Sequence, residues 1–444
     1  MKVHRIYASE FGAKLDSDVM LGGGSDDTEA LQRALDTAKA NGGVHLVLDG
    51  AARISRSLRI YSNTTLECPN PACGLFLSDG SNTSLLHNAA RDKALIRNEN
   101  ISLLGGTYNH NAPGQTHDVD PNAEEERDQY FKFVVAIEFV GVRNLKLRDI
   151  VIRDQRTFSG VFANWEHVAV ENVRIDLVAH VNAENQDGLH FFGPGRFLNI
   201  RNLSGSSGDD FLALAPDELD LKSDITDVLV DGVHMQEADQ GIRLLCCAEG
   251  RLDRVVIRNV TGTYRSFGFY INPWMEGDGG HYGNIVFDTV DLRPVAPNYD
   301  YRPPFLFHLG GKIECLTLRN IYNHRPMDGR RLVDVGGSYT RDLPAREDNP
   351  THIDRLFVDG LFVDEASDEA REEVYVRVRA RVEELHMRNV HVRRSGTTDG
   401  AFGALVRVYE QGSIRRLSLT EIDADGLETL VDAPEQAIEQ LVER

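Results

Sequence analysis

Three aspartates could carry acid–base chemistry if the chain brings them together: Asp187, Asp209 and Asp210. Asp187 stands in Asn185-Gln186-Asp187-Gly188, and Asp209 lies 22 residues further on in Gly208-Asp209-Asp210. Carboxyl groups crowded into one patch repel, and the simplest relief is for one to keep its proton near neutral pH while the others stay ionised. That makes an acid and a base. Such a pair can protonate the leaving oxygen of a glycoside while the partner activates water or attacks the sugar, and their separation decides the stereochemistry. An isolated Asp-Asp would read as a turn or as part of a calcium site. Three carboxylates in one register point to chemistry instead.

The register comes from a phrase that keeps returning: apolar, any, apolar, any, then Asn, Asp or Gly, then apolar. It runs from Leu145 to Ile150, Val168 to Val173, Leu198 to Leu203, Val228 to Val233 and Val255 to Val260, and again from Ile285, Leu316, Leu356, Leu385 and Leu417. Steps of about 30 residues mark a stack of units, each too small to bury its own apolar face. Alternating Val, Ile and Leu is strand chemistry, because every second side chain faces inward, and no helical period appears between positions 140 and 325. The reading is all-β: a right-handed parallel β-helix with about three short strands per coil. A β-propeller is the lesser alternative, since its repeats run to about 40 residues or more with hairpin turns.

Counting 12 residues from the first apolar position of each phrase gives Thr157, Asp210, Gln240 and Phe267. The coil that starts at Val168 fits only if Asp187, 19 residues on, takes that place, so seven extra residues sit there. Asp187 and Asp210 then fall on adjacent coils at one bend, with coils about 4.8 Å apart.

One large domain, 1–444, is expected, because a solenoid core grows along its axis. Residues 1–60 form an N-terminal cap region, and coils fill about 61–430. In the cap, Gly24-Ser25-Asp26-Asp27-Thr28 reads as a helix start. Leu31, Ala34, Leu35 and Ala38 then follow at helical spacing, predicting a capping helix over about 27–40 that Asn41-Gly42-Gly43 ends. Residues 109–130 read as a polar, acidic insertion beside the groove. With 48 basic against 69 acidic residues, the net charge of −21 argues against nucleic acid and membrane surfaces as partners. No apolar leader or spanning segment is seen, and five cysteines without metal-ligand spacing fit a reducing compartment, so a cytoplasmic location is expected.

The two acidic motifs and their spacing resemble the Asn-x-Asp and Gly-Asp-Asp motifs of the polygalacturonase family, glycoside hydrolase family 28. Phe11-Gly12-Ala13-Lys14 with Asp26-Asp27-Thr28 is also similar to the entrance of many pectin-active β-helix proteins. The resemblance spans residues 8–275. It implies an inverting hydrolase in which Asp209 is the general acid while Asp187 and Asp210 hold and deprotonate water. This chain departs from the family at two points. The family's His-Gly falls on Gln240-Gly241, and its Arg-x-Lys, which grips a substrate carboxylate, falls near Tyr270-Ile271-Asn272. Glutamine cannot trade a proton as histidine can.

His190, Arg243 and Tyr270 fall in one outward column of the register, and Arg243 could supply a cation in place of the missing pair. Trp165, Trp274, Gln240 and Asn272 complete the candidate sugar-binding residues, since aromatic faces bury sugar C–H surface and amides bond hydroxyls. No metal and no cofactor are expected. The expected function is an exo-acting glycoside hydrolase on imported pectic or related oligosaccharides, with a neutral or non-galacturonate sugar at the cleavage subsite. The alternatives are a polysaccharide lyase on the same fold and a non-catalytic carbohydrate-binding β-solenoid.

Overall fold

The computed structural model describes residues 4–119, 133–181, 185–218, 222–246, 248–272, 280–296, 305–324, 331–336, 351–366, 374–395 and 403–444. The fold is a right-handed parallel β-helix, as the repeated phrase implies, with one α-helix among the described residues, near the N-terminus. Two compact units divide the chain, Met1–Ala213 and Leu214–Arg444. In the first, the phrase positions stack rung on rung: Ile101 beside Leu145, then Val168, then Leu198. In the second, Val228, Val255, Ile285, Leu316, Leu356, Leu385 and Leu417 follow one another in the same way. All of these side chains are buried.

The fifth position of the phrase makes the corner. In all ten phrases it is left-handed, from Asp149, Asn172, Asn202 and Gly232 through Asn259, Thr289, Asn320, Gly360, Asn389 and Glu421, with φ between 52° and 84°. Asn, Asp and Gly tolerate that region, which most L-residues avoid. The asparagines also tie coils together: Asn202 donates its amide to Asn172 (2.9 Å), and Asn172 donates to Asp149 (2.8 Å).

The helix spans Thr28–Asn41 and ends at Gly42 with φ 71°. It buries Leu31, Ala34, Leu35 and Ala38. Its two leading aspartates divide their work in a way that capping alone does not describe. Asp26 accepts the Thr28 N–H at 3.0 Å, whereas Asp27 is buried and accepts the Lys14 and Leu15 N–H groups at 2.6 and 2.9 Å, pinning the incoming chain. The far part of the expected 109–130 insertion lies outside the described residues; its near part is anchored. His110 donates from Nε2 to the Thr83 carbonyl (2.9 Å) and accepts the Arg156 N–H at Nδ1 (3.0 Å). Arg156 in turn bonds Asp118 and the Gln115 carbonyl. Cys68 and Cys73 are buried thiols outside any disulfide, burial pushes the Cys68 thiol up to about 12, and the buried Cys246 thiol donates to the His281 carbonyl.

Burial pulls His110 down to about 4, with the bond to the Thr83 carbonyl opposing the shift and the Arg156 charge adding to it. The unfolded chain takes up that proton first, so stability is full above about pH 6.5 and falls as the pH drops towards 4. Between pH 7 and 5 this one group should remove about 2 kcal/mol. Denaturant melts at the two pH values should show a smaller loss in His110→Gln than in wild type. An equal loss in both would contradict the assignment.

Candidate active site

The carboxylate corner is built by backbone bonds between coils. Ser159 donates its N–H to the Asp187 carbonyl at 3.0 Å, and Gly188 donates to the Asp210 carbonyl at 2.8 Å. Asp187 and Asp210 therefore occupy successive rungs at one bend, and Asp209 adjoins them in the chain. The pairing of Gly160 with Leu189, followed back two residues, puts Phe158 on that rung. The count of 12 gives Thr157, so it is out by one in that coil. Thr157 is buried and spends its hydroxyl on the Val134 carbonyl.

Gly188 lets the coils approach at this point. A Cβ there would lie 2.1 Å from the Phe211 carbonyl oxygen and 2.8 Å from the Ile175 side chain. Two buried glutamines hold the bend. Gln155 donates its amide to the Asp187 carbonyl (3.1 Å), and Gln186 donates its own to the Gln155 carbonyl (2.8 Å). Ser207, also buried, donates its hydroxyl to the Asp209 carbonyl at 2.8 Å. Gln155 and Ser207 carry no periodic signal, which is why sequence reasoning passed over them.

Asp187 and Asp210 are 4% and 3% exposed, while Asp209 is half-buried. Asp187 Oδ2 lies 3.3 Å from His190 Nδ1. The His190 ring is stacked on Phe192 (4.3 Å between centroids) and meets Phe158 edge-on (5.5 Å). At 5% exposure, His190 is covered, and its polar contact is with the Asp187 carboxylate. Trp165 is likewise corrected: it is 2% exposed, its indole N–H goes to the Phe192 carbonyl (2.9 Å), and its ring fills the space beside Gly195. It is a packing residue.

The remaining candidates lie in the second unit. Arg243, Tyr270 and His308 follow one another in a column. The guanidinium lies 5.0 Å from the Tyr270 ring centroid, and Tyr270 is stacked on His308 at 5.0 Å and 7°. Phe267 and Phe305 pack against the same ring, leaving Tyr270 1% and Arg243 6% exposed. These two are therefore covered, not open groove walls as expected. Gln240 is buried, in register with Phe267. Asn272 is half-buried and donates its amide to His308 Nε2 at 2.8 Å. Trp274 lies outside the described residues. Among the described residues no group of three or more His, Cys, Asp or Glu could hold a metal ion.

No protein-family model matches the chain. A curated relative, a polygalacturonase of Persea americana, is 23% identical over 292 residues, which cover 58% of this chain and 60% of the relative. Among solved structures, the family 28 exopolygalacturonase of Yersinia enterocolitica matches with a TM-score of 0.50 and 14% identity, over 98% of this chain and 79% of that one. A tailspike protein of an E. coli bacteriophage in complex with a pentasaccharide matches with a TM-score of 0.61 and 11% identity, over 98% and 80%. At these identities the structural matches establish the β-helix fold.

Gly188→Ala forces apart the two rungs that carry Asp187 and Asp210, and should destabilise the protein by roughly 2–3 kcal/mol. Thermal melting checks this, and an unchanged melting temperature would show that the coils are not in contact there.

Proposed function

We propose that this protein is a pectin-active glycoside hydrolase that works by inversion at the Asp187, Asp209 and Asp210 corner. The observation that carries the reading is the placement of Asp187 and Asp210 on successive rungs with Asp209 beside them. The similarity to a curated polygalacturonase supports the substrate class. Asp209, the most solvent-open of the three, is the proton donor to the leaving oxygen. Asp187, steadied by His190 and Gln155, works with Asp210 to hold and deprotonate the water.

The preferred sugar at the cleavage subsite is neutral. An ionised carboxylate entering a partly dehydrated groove needs a fixed cation, or it forfeits hydration worth several kcal/mol. Where the resemblance expects His-Gly and Arg-x-Lys, this chain carries Gln240-Gly241 and Tyr270-Ile271-Asn272.

Screening arabinan, galactan and rhamnose-containing oligosaccharides beside trigalacturonate for new reducing ends tests both statements. Cleavage of a neutral oligosaccharide is expected, with trigalacturonate cut weakly or not at all; efficient cleavage of trigalacturonate would overturn the specificity. On the substrate so found, Asp209→Asn should lower turnover by a factor of roughly 100 or more while leaving the fold intact. Turnover close to wild type would remove Asp209 from the mechanism.

A further inference from the structure

The described part of the stretch that holds the seven extra residues before Asp187 is a built feature next to the carboxylates. Residues 177–181 leave the coil after Leu177 and are stitched down at several points. Asp154, itself buried, accepts the Val178 and Ala179 N–H groups with Oδ1 at 2.9 and 2.8 Å. Gln186, fully buried, donates to the Ala179 carbonyl (3.0 Å) and accepts the Val181 N–H (3.0 Å). Ser206 donates its hydroxyl to the Leu177 carbonyl (3.2 Å), and Gly208 donates its N–H to the Gln186 carbonyl (2.9 Å). The segment that delivers Asp209 is thus tied to this loop along its length.

A loop held so firmly nonetheless turns its side chains outward. Val178 is 60% exposed, Val181 is 37% exposed, and His180 between them is exposed as well. The His180 ring lies over Gly208: Nδ1 is 3.7 Å from the position a Cβ would take there. Gly208 immediately precedes Asp209, so the imidazole lies close to the backbone that delivers that carboxylate. Apolar surface beside an imidazole is what a sugar ring uses, since its C–H face packs on the one and its hydroxyls bond the other.

We propose that the loop from Val178 to Val181 is the wall of the sugar site on the Asp209 side, and that His180 contacts the substrate there. The inference rests on the glycoside-hydrolase reading above. His180 hydrogen-bonds a hydroxyl of the bound oligosaccharide in ground state and transition state alike, so it sets affinity and does not move the proton. Val178 and Val181 offer the apolar surface that a neutral sugar can cover.

The test uses the full chain and whichever oligosaccharide of the neutral panel the wild type hydrolyses. His180→Ala should raise KM roughly tenfold and change kcat less than about threefold, the size and pattern of a lost uniform hydrogen bond. His180→Gln, which keeps a donor and an acceptor, should recover part of the loss. Both variants should melt as the wild type does, because the side chain is exposed. An unchanged KM in His180→Ala would overturn the inference alone, and a fall in kcat with KM held would overturn it in favour of proton transfer. Failure of the wild type to cleave any member of the panel would overturn both the hydrolase reading and this one.

Discussion

A coil of a parallel β-helix cannot satisfy its own backbone. Its N–H and C=O groups bond to the coils before and after it, so register between coils is the constraint from which everything else follows. At the corner described here, the bond from the Gly188 N–H to the Asp210 carbonyl places two carboxylates 23 residues apart in sequence on neighbouring rungs. Apolar stacking of Val168 on Leu198 sets the same register from the other side of the coil. A slip of one residue would turn the inward residues of the coil outward, so the core and the carboxylate corner are enforced together.

The groups around the carboxylates work mostly on backbone. Gln155 and Gln186 bond carbonyls, Asp154 bonds amides and Ser207 bonds the Asp209 carbonyl. Each is buried, and a buried polar group left unmade costs about 1–3 kcal/mol, so each resists rearrangement. Gln155 and Arg156 are adjacent and reach in different directions, one to the Asp187 bend and the other to the segment from Gln115 to Asp118. His110 closes that second branch through the Arg156 N–H. Two irregular segments thereby share one turn of backbone as their anchor.

Much of the fold was legible because each corner imposes a backbone requirement that few residue types meet. Asn172, Asn202 and Asn259 announce left-handed positions by type, while Thr289 and Glu421 occupy the same place without announcing it. The seven-residue offset before Asp187 was legible from the apolar pattern alone. What the pattern does not contain is cover. Alternation tells which side chains point away from the core, but whether they meet water depends on neighbouring rings and loops. His190 and Tyr270 fall in the outward column of the sequence register and are nevertheless buried, and Trp165 fills space beside a glycine 30 residues away. Gln155 escaped notice for a related reason, since its partner is a carbonyl on another coil that no local spacing encodes, whereas Ser207 bonds a carbonyl two residues on without any periodic pattern to mark it.

The central claim is that the carboxylates on neighbouring rungs hydrolyse a glycosidic bond through a water held between base and sugar. Proton NMR of the first-formed product, on an oligosaccharide that the screen finds to be cleaved, tests this proposal most directly. The account predicts a saturated sugar whose anomeric configuration is inverted relative to the bond broken, appearing before mutarotation. A retained anomer, which requires a covalent glycosyl intermediate, or an unsaturated product, which requires elimination, would contradict it.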